Sequence, residues 1–344
     1  MKNIVLQNTP AGTISCMAFH PIIEYLLLVA SWDGTVSLYD IRTNVRTALY
    51  QGHKGPVLTC CWGQGYTIFS AGVDGRILVG SDKWKEKRFG KHEDTITSLA
   101  YCRSRCLLVS GSSDKTARIW SDYTSLDIMP TTRAHEFVFE GPVDSLDISH
   151  DMLVVAVNQE YHIFNIGVLN ASAKWVIPSA LTCRTRVMKL SYNGYWGAFG
   201  SVEGRVLMKN MQDSTRDFLL MVSRNETVNP PSIFPMNAIA FHPVYHTFVT
   251  GSSNGWVASW DQFNIKKLAE IVPAASSSSL SANLGPVSAL AYSCRGEYLA
   301  IATGDTFDSG PSFAGPATAA AMPRTTVVVR PMVVEKEVRP ITKN

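Results

Sequence analysis

Ser31-Trp32-Asp33-Gly34-Thr35-Val36-Ser37-Leu38-Tyr39-Asp40 ends one apolar run, turns on an acid-glycine pair and opens a second strand. The same phrase returns at Val73-Asp74-Gly75-Arg76, Ser113-Asp114-Lys115-Thr116, Val202-Glu203-Gly204-Arg205 and Ser253-Asn254-Gly255-Trp256, with Asn158-Gln159-Glu160 as a degenerate copy. From Asp33 to Asp74, Asp114, Gln159, Glu203 and Asn254 the steps are 41, 40, 45, 44 and 51 residues. A unit repeated at this period is a four-stranded propeller blade. With a further unit near the C-terminus, the chain reads as all-β, a seven-bladed β-propeller.

Working outward from each turn, the preceding strands are near-continuous apolar runs such as YLLLVAS (25–31), MLVVAVN (152–158) and YLAIATG (298–304), as expected for strands buried on both faces. The strands before those alternate apolar with small or polar residues, for example TISCMAF (13–19), RTRVMKLSY (184–192) and GPVSALAY (285–292). The seventh unit reaches only three strands, whereas an orphan strand, Asn3 to Gln7, precedes the first. The N-terminal strand is therefore expected to complete the last blade and close the ring, leaving no long exposed sheet edge. One propeller domain is expected over 1–333, with a Gly/Ala/Pro-rich insertion in blade seven (305–323), a serine-rich connector from Pro273 to Pro286, and a disordered tail over 334–344.

Composition narrows the function. The 344 residues are 46% apolar and 17% charged, with no apolar run near the roughly 20 residues that a membrane helix needs. Met1 to Pro10 has no apolar core of a signal peptide, so an intracellular protein is expected. The seven cysteines show no paired spacing for zinc, and no metal or cofactor is expected. A formal net charge of +3 gives no broad basic footprint for specific DNA binding. No Gly-rich phosphate loop, GxSxG or HExxH is present, so no catalytic residue is assigned. Asp33, Asp74 and Asp114 are carboxylates, but each recurs at the same place in a repeat; catalysis needs such a group once and a turn needs it in every blade. His53 and His92 are placed to meet Ser70 or Ser110 and a turn aspartate, a network that specifies a fold.

Geometry directs attention to the irregular positions. In a four-stranded blade, the turn between second and third strands and the lead-in to the first strand share one face of the disc. Trp32, Arg76, Arg184, Arg186, Arg205 and Trp256 occupy such positions around one channel mouth. Arginine forks and exposed indoles suit an acidic or phosphorylated peptide. Two readings stay open: Trp32 as anchor or buried structural indole, and Arg186 and Arg205 as ligand forks or as partners of Glu203 or another turn acid.

SWDGTVSLYD (31–40), SVEGRV (201–206), FHPVYHTFVTGSSNGWVASWDQFNIKK (241–267) and the RTRV lead-in (184–187) resemble the WD-repeat mitotic-checkpoint family of Bub-three, whose sister is the mRNA-export family of Rae-one. The resemblance covers roughly residues 10 to 305. It implies a non-enzymatic adaptor located in the nucleus and, in mitosis, at the kinetochore. Its implied partners are GLEBS-containing checkpoint kinases of the Bub-one and BubR/Mad type and phosphothreonine Met-Glu-Leu-Thr repeats of the kinetochore scaffold. A nucleoporin would be the partner on the export branch. Carried over by motif, the peptide-binding residues are Trp32, Arg186 and Arg205, and Trp256 joins them by position. A Phe-Lys-Cys-His-Arg segment common to both branches is absent, and FLLMVSR (218–224) stands in its place.

Overall fold

The computed structural model describes residues 3–81, 86–121, 133–167, 175–225, 232–271, 285–304 and 325–340. Seven four-stranded antiparallel sheets follow one another along the chain, and a two-residue ladder, Arg224–Asn225 with Ser232–Ile233, leads into blade six. Blade one sets the pattern with Ile14–Phe19, Leu26–Ser31, Val36–Asp40 and Val45–Tyr50 as neighbouring strands. The first strands of the other blades are Val57–Trp62, Ile96–Cys102, Val143–Ser149, Thr185–Leu190, Met236–Phe241 and Val287–Tyr292. Second strands such as Leu26–Ser31, Ile68–Gly72 and Trp196–Ser201 are buried at every position, as their unbroken apolar sequences require. The core thus lies between adjacent blades, where large side chains of one sheet fill against the next.

Ring closure follows the sequence expectation, with a shorter strand. Ile4–Val5 pairs antiparallel with Thr326–Pro331, Ile4 opposite Val329 and Val5 opposite Val328, and completes the sheet of Val287–Tyr292 and Tyr298–Thr303. Leu6 follows, its N–H on the Val327 carbonyl at 2.9 Å and its side chain buried with Ile14, Tyr39 and Val327 between blades seven and one. The Tyr39 hydroxyl donates to the Asn8 carbonyl at 2.8 Å and anchors the same segment to blade one.

The C-terminal segment differs from expectation. Val334–Val338 forms a wide helical turn over blade six instead of a disordered tail. Val338 is fully buried and its carbonyl accepts from the Thr247 hydroxyl at 2.7 Å, while Glu337 pairs with Arg330. An apolar valine and a matched ion pair supply partners that charge and proline content alone did not reveal. The serine run and the blade-seven insertion lie outside the described residues.

Every first strand carries one irregularity at the same place. The register skips Ser15, Leu58, Thr97, Asp144, Arg186, Asn237 and Ser288, one residue per blade. A bulge re-aims the extra side chain, and all seven line the wall of a channel cavity of about 430 Å³. Several tie neighbouring blades together: Ser15 Oγ donates to the Val57 carbonyl (2.6 Å), Thr97 Oγ1 to that of Val143 (3.0 Å) and Asn237 Nδ2 to that of Val287 (2.8 Å).

Candidate functional site

The repeated turn explains which side chains are free to face a ligand. In blade one, Gly34 N–H donates to the Ser31 carbonyl at 3.2 Å and Gly34 takes φ +86°, a tight turn followed by a left-handed residue. The third position needs glycine where space is short: a Cβ on Gly204, at φ +69°, would lie 2.5 Å from the Ser223 carbonyl oxygen. Blade three accepts Lys115 there at φ +68°. The degenerate copy is a two-residue loop, Asn158-Gln159 between paired Val157 and Glu160, with Asn158 at φ +54°.

The turn acids are consumed by this backbone. Asp33 Oδ1 accepts from Thr35 N–H (3.0 Å) and its hydroxyl (2.7 Å), Asp74 Oδ1 from Arg76 N–H (3.1 Å), and Asn254 Oδ1 from Trp256 N–H (3.0 Å). Asp114 is further engaged by His92, whose Nδ1 lies 2.9 Å from it while Nε2 meets Ser110 Oγ at 2.7 Å. The Trp120 indole donates to that serine at 2.8 Å, and the matching His53 network in blade two reaches Ser70 (2.9 Å) and Asp74 (3.1 Å). Burial lowers the His92 pKa against the opposing pull of Asp114, so the ring is neutral and the network is a hydrogen-bonded strut.

The turns and strand lead-ins do share a face. Trp32 N–H donates to the Thr13 carbonyl (2.9 Å), Val73 N–H to that of Pro56 (3.0 Å) and Ser253 N–H to that of Pro235 (3.0 Å), each joining a turn to the residue that precedes its first strand. On this face Trp32 is 40% and Trp256 53% exposed, so neither indole is buried structure. Arg186 is the bulged residue of blade five and is exposed into the channel. Arg205 opens the third strand of the same blade. Ser201 and Gly200 separate the two, so strand spacing sets their backbones about 10 Å apart.

The second reading of Arg205 has a counterpart in the structure: its Nε forms an ion pair with Glu203 at 3.9 Å, too long for a hydrogen bond, and that Nε is buried without a hydrogen-bond partner among the described residues. Glu203 is held more closely by the Thr182 hydroxyl and the Cys183 thiol, in that order of importance, which lower its pKa. Arg184, in contrast, pairs across the blade boundary with Asp144, so it ties blades four and five together. Asp144 was not singled out in the sequence. Its signal was a charged residue in second place of a strand whose counterparts elsewhere are mostly small or neutral.

A repeat model for the WD domain, G-beta repeat, matches residues 4–40, 43–79 and 84–121. The mitotic checkpoint protein BUB3.1 of Arabidopsis thaliana is 30% identical over 311 residues, 89% of this chain and 88% of that protein. The chain belongs to the Bub-three family of WD-repeat propellers. It is similar also to mitotic checkpoint protein bub3 of Dictyostelium discoideum, 29% identical over 89% of each chain, and, outside the checkpoint proteins, to the poly(A)+ RNA export protein of Schizosaccharomyces pombe, 30% identical over 78% of this chain and 76% of that protein. The solved structure of U3-55K superposes with a TM-score of 0.76 at 16% identity, covering 96% of this chain and 98% of that one, a likeness of fold. As a Bub-three-family propeller the chain is one of a group of scaffolds and adaptors.

Proposed function

We propose that this propeller is a non-enzymatic adaptor of the spindle assembly checkpoint. It holds GLEBS-type segments of checkpoint kinases and phosphothreonine Met-Glu-Leu-Thr-like motifs, and so brings the kinases to kinetochores in mitotic nuclei. Trp32 and Trp256 are the apolar anchors, and Arg186 and Arg205 the forks for carboxylate or phosphate. The observation that carries the reading is the blade-five pair: two arginines at one end of one sheet, with Arg205 Nε buried and lacking a hydrogen bond among the described residues.

A second reading, an adaptor for mRNA export that binds a nucleoporin, is favoured by the Schizosaccharomyces pombe relative at the same 30% identity. Affinity purification from mitotic cells separates the two. Checkpoint kinases in the eluate, lost with Arg205→Ala, are expected; nucleoporins without checkpoint kinases would replace the first reading with the second.

A further inference from the structure

At the end of the channel opposite the turns, the first strands open into a second chamber of about 540 Å³, within the size range of small-molecule sites. Two cations reach it, Arg103 and Lys189, against one lining carboxylate, Asp147. That carboxylate is engaged twice: its Oδ2 accepts the Leu190 N–H at 2.9 Å, and its Oδ1 forms an ion pair with Lys189 Nζ at 3.8 Å, which raises the lysine's pKa and leaves Arg103 as the cation without a carboxylate. Arg103 Nη2 donates to the Gly63 carbonyl at 2.9 Å, and no carboxylate pairs with this guanidinium among the described residues. The guanidinium is half-buried, and burial lowers its pKa, the mark of a cation short of compensating charge.

The rest of the chamber mixes apolar and aromatic side chains with Ser104, Ser149, His150 and Ser191. Tyr101 and Tyr192 line it beside the cations, and Tyr192 is 54% exposed, a ring face available for stacking. Cations flanked by aromatic faces complement an anion that carries a flat ring. A fully hydrated inorganic ion would use the charges and leave the rings idle.

We propose that this lower chamber binds a small aromatic anion of the nucleoside-monophosphate kind, its phosphate on Arg103 and Lys189 and its base against Tyr192. The chamber is continuous with the channel that Arg186 lines, whereas Arg205 lines neither cavity, so Arg205→Ala distinguishes failure of this assignment from failure of the peptide-binding reading. Calorimetry of the full chain with AMP, adenosine and inorganic phosphate tests it. AMP should bind at least ten-fold more tightly than either fragment. Arg103→Gln and Lys189→Met should each weaken AMP about ten-fold or more, measured at a temperature where each variant is folded. Tyr192→Ala, at an exposed position, should weaken AMP and leave phosphate unchanged, and Arg205→Ala should leave AMP unchanged. Absence of heat at millimolar AMP, or equal binding by wild type and the Arg103→Gln/Lys189→Met double variant, overturns the assignment. Equal affinity for AMP and inorganic phosphate overturns the role of the rings.

Discussion

Glu203 and Arg205 stand two residues apart in one turn and serve different ends. Glu203 is held by Thr182 and Cys183, as its counterparts Asp33 and Asp114 are held by their own turns. Arg205 Nε makes no hydrogen bond among the described residues and only a long ion pair with Glu203, and the position varies where the acid recurs. Histidines divide the same way, and the buried ones make a testable claim about pH. His242 Nδ1 accepts the N–H groups of Val244 (3.2 Å) and Tyr245 (3.1 Å), and burial lowers its pKa from 6.5 to about 4. The unfolded chain takes up this proton near pH 6.5 and the folded one only near 4, so its contribution is complete above 6.5 and lost as the pH falls through that window. The loss amounts to about 3 kcal/mol, and His20 and His92, also lowered by burial, add in the same direction. The thermal midpoint should therefore fall on acidification across that window, less steeply in His242→Gln than in the wild type. Identical slopes would contradict the assignment. For the buried network of blade three, Ser110→Ala should lower stability by about 1–3 kcal/mol, because it strands His92 and Trp120 donors and acceptors together; a chemical denaturation midpoint unchanged by it would show the strut to be dispensable.

At the scale of elements, the N-terminal strand matters beyond its two paired residues. Removing Met1 to Thr9 takes away the ladder to Thr326–Pro331, the buried Leu6 and the acceptor of Tyr39. Burial of one leucine contributes about 1.5–3 kcal/mol and each lost hydrogen bond about 1 kcal/mol. The deletion should lower stability by about 3–5 kcal/mol and expose an edge that associates, a result that a melt at the wild-type midpoint would exclude. Second strands and turns were legible in the sequence because apolar runs and acid-glycine pairs have strong local causes. The fourth strands were not: Val45–Tyr50, Trp175–Pro178 and Lys266–Ile271 sit at the outer rim, largely exposed, and their sequences VRTALY, WVIP and KKLAEI share no common pattern. Nor was the bulge legible, since it is a property of backbone register and leaves Ser15, Thr97 or Asn237 looking like ordinary alternation.

For the whole molecule, those bulges line one channel. Seven blades each turn one residue into it, five of these are neutral, Ser15, Thr97 and Asn237 bridge neighbouring sheets, and blade five alone contributes an arginine. Repetition in the sequence therefore identified the fold and, by exception, pointed to Arg186 and Arg205 as the proposed site. It missed Asp144, whose pairing with Arg184 depends on two blades meeting. The account's central claim is that this upper mouth recognises anionic peptide through those two arginines. Titration calorimetry with a phosphothreonine Met-Glu-Leu-Thr-like peptide is the most direct measurement. A phosphothreonine carries about −1.5 to −2 charge and each charge-assisted hydrogen bond contributes about 1.5–3 kcal/mol. Arg186→Ala and Arg205→Ala should each weaken binding about ten- to a hundred-fold relative to wild type, and wild-type affinity in both variants would contradict the claim.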